Sequence, residues 1–347
     1  MSPDTASDAF SDILSHPPPR LSQAEILAHV ARHWGVEGDL SPLTAERDLN
    51  HRLDSPQGRF TVKLANPAEP VALTGFQSRA LLHVAKADPD LPVPRVVPTA
   101  MGDLWVDLPE GRLRLMSWLE GRPQAQTAFS APQARAIGAL LARLTLALAD
   151  YDGAGEDPVI LWDIRRLPQL AAMLPELPDR AFAAQATAFI AHFEAQVAPQ
   201  LALLPRQVCH SDFNRHNILT APDDPDRITG VIDFGDMVRT PRICDLAVAA
   251  AYQLDPADPL GGPCALVQGY AARIALSATE VALLPDLIAA RMVTSLVISG
   301  WRAARYPANA EYILRNSANA RAGLAAFDTL GRDAISRALT LAARPEE

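Results

Sequence analysis

The residues best suited to chemistry lie in two short, neighbouring stretches of the chain. Asp212 and Asn217 lie five residues apart in the first stretch, and Asp233 lies in the second. Phosphoryl transfer needs a carboxylate beside the attacking hydroxyl and oxygen ligands that hold magnesium on the nucleotide phosphates. The pattern therefore predicts Asp212 as the catalytic carboxylate and Asn217 and Asp233 as magnesium ligands.

Short strand-like segments separate these residues and must position them. The segments cover residues 207–210, 218–220 and 228–232, and a tight turn lies between the last two. The resulting hairpin should bring Asn217 and Asp233 close together. His210 is expected to brace the catalytic loop through hydrogen bonds, and Asp245 could anchor the same loop at the start of a helix.

The wider pattern predicts an α+β, two-lobed architecture. Strand-like alternation dominates between residues 40 and 119, and helical periodicity dominates beyond residue 121. We predict a mobile leader at 1–20, a β-rich N-lobe at 21–118 and a catalytic, mainly helical C-lobe at 119–347. Helices are expected at 22–34, 73–87, 130–148, 179–204, 243–254, 262–276, 278–303 and 308–342.

Composition excludes several classes of function. The 347 residues carry a net charge of −9 and no run of Lys or Arg, which argues against a nucleic-acid partner. Three scattered cysteines suggest neither a disulfide framework nor a zinc site. The N-terminus does not resemble a signal peptide, and Arg, Asp or Pro interrupts the apolar stretches before membrane-spanning length. We therefore expect a cytoplasmic protein with no membrane partner.

The motifs together resemble the aminoglycoside phosphotransferase family, which shares the protein-kinase-like fold. The resemblance is carried by His210, Asp212 and Asn217, then by Ile-Asp-Phe-Gly-Asp at 232–236 and by Asp-Leu-Ala from Asp245. It implies a small antiparallel sheet with one helix in the N-lobe and a larger helical C-lobe. It also implies catalysis by Asp212 with His210, and a nucleotide bound between the lobes.

Upstream residues extend the resemblance to the nucleotide. Lys63 matches the strand lysine that holds the α- and β-phosphates, and Asn50 falls in the loop over the nucleotide. Met116 and Trp118 match the hinge whose backbone meets the purine. Gln77 stands where the family usually has a glutamate that pairs with the lysine, and its amide could still orient Lys63 by a hydrogen bond.

Three further segments, Glu-Arg-Asp-Leu-Asn at 46–50, Gly-Val-Ile-Asp-Phe-Gly-Asp-Met at 230–237 and Pro-Ala-Asn-Ala-Glu-Tyr at 307–312, resemble hydroxylysine kinase-like members of this family. That similarity implies transfer of phosphate from GTP or ATP, with Mg²⁺, to a hydroxyl of an amino acid or amino alcohol. 5-Hydroxylysine is the first candidate acceptor, and homoserine, choline or ethanolamine, and aminoglycosides are alternatives. A catalytically silent, nucleotide-binding regulatory module is the alternative of another class, and its sequence support is Gln77.

Three further residues are candidates for contact with the small-molecule acceptor. Asp236 could meet a substrate amine or cap the following loop. Asp163 lies where a helical lid would face the cleft, although capping a helix is the commoner role. Arg302 could hold a substrate carboxylate as a guanidinium fork, although solvation at the surface is commoner for such an arginine.

Overall fold

The computed structural model describes residues 17–45, 47–153 and 158–344. Most of the predicted leader, and Glu46, lie outside the described residues. The chain divides into two compact units. The first unit consists of the described residues up to Glu120, together with the separate short stretch 152–153. The second unit consists of Gly121–Tyr151 and residues 158–344. Helices and antiparallel strands occur in both units, which confirms the predicted α+β class.

An antiparallel sheet forms the centre of the first unit. Its strand order is β1-β2-β3-β6-β4, and β5 also pairs with β6. Buried Val62 lies opposite Leu115, and buried Leu64 lies opposite Leu113, so adjacent strands present paired apolar side chains. The strands are β1 (Asp39–Leu43), β2 (Leu49–Ser55), β3 (Gly58–Ala65), β4 (Val96–Val97), β5 (Val106–Leu108) and β6 (Gly111–Ser117).

Two helices accompany this sheet, one more than the resemblance implied. Helix α1 (Gln23–Trp34) begins with a reciprocal capping box between Ser22 and Glu25 and ends at left-handed Gly35. Its buried face joins the core of the sheet. Helix α2 (Val71–Ala87) follows Pro70 and carries the buried Gln77.

Two small sheets in the second unit hold the predicted catalytic segments. Strand β9 (Ile218–Thr220) pairs with β10 (Ile228–Val231) on one side and with β7 (Arg122–Pro123) on the other. Strand β8 (Arg206–Cys209) pairs with β11 (Val238–Pro241). The loop with Asp212 therefore connects β8 to β9, and Asp233 follows β10.

The rest of the second unit is mainly helical, with more breaks than the sequence predicted. The expected helix at 308–342 is three helices, because the chain turns between residues 313 and 317 and again at Gly331, which has a φ of 74°. A 3₁₀ segment (Ile164–Glu176) containing two prolines was not predicted. The helices are α3 (Ala131–Ala147), α4 (Arg180–His192), α5 (Ala198–Leu201), α6 (Arg242–Tyr252), α7 (Gly261–Ala271), α8 (Ala278–Arg305), α9 (Ala310–Ile313), α10 (Ser317–Leu330) and α11 (Arg332–Ala342).

Helix α8 is the longest described helix and lies at the core of the second unit. Its 28 residues include an apolar window that is long enough to cross a membrane, contrary to the expectation that charges and prolines would interrupt every such stretch. Within the unit, 89% of that window is buried. The helix therefore packs as an internal element, and its polar side chains must find partners inside the protein.

Candidate active site

The loop between β8 and β9 is anchored by a buried carboxylate. Both oxygens of Asp245, at the start of α6, accept backbone N–H groups, from His210 at 3.1 Å and from Ser211 at 2.9 Å. Burial raises the pKa of the Asp245 carboxyl, and His210 and these hydrogen bonds oppose the rise. Ser211 has a φ of 64°, a costly conformation for a non-glycine residue that the anchor holds in place.

His210 braces this loop and is fully buried. Its Nδ1 accepts the backbone N–H of Asp212 at 3.2 Å, and its Nε2 lies 3.1 Å from the carbonyl oxygen of Ile232, to which it donates. The rings of Phe213 and Phe234 meet the imidazole edge-on. With both ring nitrogens engaged by backbone, His210 fits the bracing role rather than direct proton transfer.

Three side-chain donors hold the carboxylate of Asp212. Oδ2 accepts from Nδ2 of Asn214 at 2.8 Å and from Nδ2 of Asn217 at 2.7 Å, and Oδ1 accepts from Nη2 of Arg291 at 3.1 Å. The Asp212 side chain is 17% exposed. A carboxylate fixed in this way, yet still reachable, can orient a hydroxyl and accept its proton.

Arg291 of α8, which contacts the proposed catalytic carboxylate, was not among the residues that the sequence analysis singled out. Its side chain is only 2% exposed, and it also donates to the Tyr252 hydroxyl and to the Trp162 carbonyl. Burial lowers the pKa of the Arg291 guanidinium, but Tyr252 and Asp212 outweigh burial and raise it above its ordinary value. One feature of the sequence could have pointed to Arg291: it is a charged residue inside an apolar helical stripe, and such a residue is buried only when it is paired.

The predicted magnesium ligands lie at the same end of one hairpin. Val231 pairs with Ile218, and the N–H of Ile232 donates to the carbonyl of Asn217 at 2.8 Å, so Asn217 and Asp233 are at neighbouring positions. Asn217 donates its Nδ2 to Asp212, which leaves the amide oxygen for a cation. Asp233 is exposed and has a φ of 62°.

This donor set fits magnesium. An amide oxygen and a carboxylate are hard ligands, and magnesium takes the rest of its shell from phosphate and water. Among the described residues, no cluster of three or more His, Cys, Asp or Glu could hold a metal ion alone. Asn217 and Asp233 would supply two oxygen ligands, and a magnesium ion held there would take further ligands from phosphate and water.

In the first unit, three polar residues lie side by side on adjacent strands of the sheet. Asn50 of β2 lies opposite Lys63 of β3, which lies opposite Arg114 of β6. The ammonium of Lys63 lies 2.9 Å from Oδ2 of Asp48, and both side chains are largely buried. The sequence analysis had considered Gln77 as the partner of Lys63. A carboxylate partner is thus present, but it comes from the turn before β2 rather than from a helix.

Gln77 itself bonds to another cation. Its Oε1 accepts from Nη1 of Arg114 at 3.1 Å. Arg114 is 2% exposed and occupies the strand position next to Lys63. A glutamine at position 77 therefore accepts one hydrogen bond from a buried arginine without adding a further charge.

Of the predicted hinge residues, Met116 lies within β6 and Trp118 directly follows it. Met116 pairs with Thr61 on one side and Val96 on the other, so it is a sheet residue. The N–H of Trp118 donates to the carbonyl of Arg59 at 3.1 Å. A purine that meets this segment would therefore bond to carbonyl groups here or to the backbone beyond Trp118.

The three candidate acceptor residues have different surroundings. Asp163 is buried, caps the segment that begins at Ile164, and pairs with Arg165 at 2.7 Å, which is the commoner role expected for it. Asp236 lies near enough to Arg291 to raise the pKa of that guanidinium. Arg302 is buried, at 8% exposure, so solvation at the surface is the wrong interpretation for it.

Known proteins resemble this chain in both sequence and fold. Hydroxylysine kinase from Danio rerio is 27% identical over 340 residues, covering 92% of this chain and 95% of that protein. A microcompartment-associated aminopropanol kinase superposes with a TM-score of 0.63 at 18% identity, covering 90% of this chain and 99% of that one. An amicoumacin kinase in complex with AMP-PNP, Ca²⁺ and Ami gives a TM-score of 0.63 at 12% identity, covering 86% and 93%.

The family assignment rests on a direct match to the phosphotransferase enzyme family (APH), which spans residues 39–278. That span begins at β1 in the first unit and extends past the catalytic loop and α7 in the second. The resemblance noted in the motifs is confirmed, and the kinase-like fold agrees with the solved structures. The chain therefore belongs to the phosphotransferase enzyme family.

Proposed function

We propose that this chain is a magnesium-dependent small-molecule kinase that uses ATP or GTP to phosphorylate a hydroxyl of a small, amino-bearing acceptor. 5-Hydroxylysine or a similar hydroxy-amino acid is the first candidate. The observation that carries the proposal is the carboxylate of Asp212, which Asn214, Asn217 and Arg291 hold at three points. The relatives named hydroxylysine kinase and aminopropanol kinase support an amino-bearing acceptor.

In the proposed reaction, Asp212 orients the acceptor hydroxyl and takes its proton late in the transfer. The acceptor oxygen bonds to the γ-phosphorus as the bond to the bridging oxygen breaks, and the nucleoside diphosphate leaves. Lys63 offsets the negative charge of the phosphates. Asn217 and Asp233 would hold magnesium, which when bound neutralises charge on the phosphates and aligns them.

The alternative of a silent nucleotide-binding module loses its sequence support. That support was the missing glutamate at position 77, and the Lys63–Asp48 pair supplies a carboxylate to the lysine from another element. The catalytic carboxylate is present as well. We therefore retain catalysis as the proposed function.

A coupled assay of nucleotide consumption tests the proposal. ATP and GTP are each supplied with Mg²⁺ against hydroxy-amino acids, amino alcohols and aminoglycosides. Turnover with 5-hydroxylysine alone would support both the reaction and the acceptor, and turnover with another hydroxyl compound would replace the acceptor. Nucleotide binding without consumption against any acceptor would contradict catalysis.

A further inference from the structure

A pocket in the second unit opens beside the arginine that holds Asp212. It encloses about 400 Å³, a volume that includes its solvent-facing mouth. Tyr252, Leu254 and Met292 contribute to its walls. Its other polar lining residues are Arg215, Arg291, Ser295, Asn316 and Asn319. An apolar lining that carries a few polar groups is typical of a small-molecule site.

The charged residues that line the pocket are all positively charged. Two arginines face the pocket and no Asp or Glu lines it, although the whole chain has a net charge of −9. Arg215 donates to the backbone carbonyls of Gln124 and Thr127 and forms no ion pair with another described residue. Burial lowers the pKa of the Arg215 guanidinium. Arg215 is half-buried, and Asp255, which does not line the pocket, offsets only part of the effect of burial, so the pocket side of this guanidinium favours an anionic ligand.

Each arginine also retains an unused donor. Nε of Arg215 and Nε of Arg291 are both buried and have no hydrogen-bond partner among the described residues. Arg291 is only 2% exposed, so solvent does not satisfy this group. Buried donors are normally paired, and a planar carboxylate is the anion that guanidinium groups bind best through two parallel hydrogen bonds.

We propose that Arg215 and Arg291 form a binding site for the carboxylate of the acceptor and thereby select hydroxy-amino acids over amino alcohols. This inference rests on the proposed kinase function and deepens it. Arg291 binds Asp212 through Nη2, and its free Nε serves the acceptor carboxylate. Arg215 lies three residues after Asp212 in the same loop. The two arginines thus tie recognition of the carboxylate to the position of the acceptor hydroxyl at Asp212.

The first experiment compares 5-hydroxylysine with its carboxamide in the wild-type protein, which removes the negative charge and keeps the hydroxyl and both amines. We expect kcat/KM to be about 10- to 100-fold lower for the carboxamide, as for a lost charge-assisted hydrogen bond. Equal kcat/KM for the two compounds would overturn the inference and leave the kinase in place. If neither compound nor any other acceptor were phosphorylated, the proposed function itself would fail.

A second experiment assigns the effect to the arginine. In Arg215→Gln, the preference for 5-hydroxylysine over the carboxamide should fall towards one, mainly through KM for 5-hydroxylysine. KM for the nucleotide should stay as in the wild type. Arg273→Gln, which removes an exposed arginine beyond α7, is the control and should keep the wild-type preference. An unchanged preference in Arg215→Gln would remove Arg215 from the site.

Thermal stabilisation provides a readout that does not need turnover. Without nucleotide, 5-hydroxylysine should raise the melting temperature of the wild-type protein more than the carboxamide does, because only the former pairs with the arginines. Equal shifts for the two compounds would contradict the inference.

Discussion

At the scale of single residues, the surroundings of Lys63 determine how the phosphates would be held. Its ammonium pairs with Asp48, while Gln77 serves Arg114. Burial alone would raise the pKa of Asp48, but Lys63 and the backbone N–H of Asn66 outweigh it and lower that pKa. Asp48 therefore stays ionised at neutral pH and fixes the lysine.

The variant Asp48→Asn should weaken the positioning of Lys63. We expect the KM for the nucleotide to rise about tenfold and kcat to fall, since a charge-assisted contact to one lysine is worth about 1.5–3 kcal/mol. Gln77→Ala is the comparison, because it breaks the contact to Arg114 and should lower stability more than nucleotide affinity. Steady-state kinetics that rank the two variants in the opposite order would contradict this account.

His51 gives the protein a pH-dependent stability. It is 3% exposed in β2, and burial lowers its pKa below the ordinary value of 6.5. The unfolded chain therefore binds the proton more readily, so stability is complete above about pH 6.5 and decreases as the pH falls below it. In urea titrations, the unfolding free energy of wild type should decrease relative to His51→Leu between pH 7 and pH 5. A difference that stays constant with pH would contradict the assignment.

The motif predicted the catalytic loop but not all of its partners. The proximity of Asp212, Asn217 and Asp233 was predictable because all three lie in loops at the ends of short strands that are neighbours in sequence. Arg291 was not, because it reaches Asp212 through the packing of a helix distant in sequence. Asp48 was missed for a related reason: strand register, which the sequence does not specify, decides which carboxylate meets Lys63.

At the scale of elements, the crossing of α3 and α7 depends on two glycines. A Cβ on Gly138 would collide with the carbonyl oxygen of Leu266, and one on Gly269 would collide with the carbonyl oxygen of Arg135. Backbone atoms cannot move aside as a side chain can. The absence of side chains at these positions is therefore what allows the two helices to approach so closely.

The variant Gly138→Ala should destabilise the protein by about 1–3 kcal/mol, the usual cost of overpacking. The control is Gly300→Ala in α8, where the added methyl meets only a side-chain carbon of Leu177 at 3.2 Å. There the gain in helix propensity, about 1 kcal/mol, offsets much of the crowding. Equal losses of unfolding free energy in the two variants would show that the crossing is not tight.

The elements themselves were predictable to different degrees. Strands β3 and β6 were identified because apolar residues alternate with polar ones over 60–64 and over 112–115. The C-terminal helices were merged into one because Ala and Leu favour helix throughout, and glycine alone does not mark the breaks: Gly331 ends α10, but Gly323 lies within it. The 3₁₀ segment at Ile164–Glu176 carries prolines that obscure its periodicity.

At the scale of the whole molecule, both units supply parts of the proposed phosphoryl transfer. The first unit carries Lys63 and its carboxylate partner, and the second carries the catalytic loop and the arginine pocket. The family match covers segments of both. Lys63 in the first unit should therefore affect nucleotide binding independently of Asp212, whereas Asn217 is hydrogen-bonded to Asp212 and should affect both binding of Mg²⁺ and catalysis.

The most direct test is the rate of nucleotide consumption by Asp212→Asn, measured with the best acceptor, alongside the thermal shift produced by ATP and Mg²⁺. We predict that turnover falls about 10²- to 10⁴-fold because the proton acceptor is lost, while the thermal shift is retained because Lys63, Asn217 and Asp233 are all still present. Asp223→Asn, an exposed aspartate paired with Arg227 in the neighbouring turn, is the control and should turn over as wild type does. A near-wild-type rate in Asp212→Asn would contradict the central claim that this carboxylate carries the reaction.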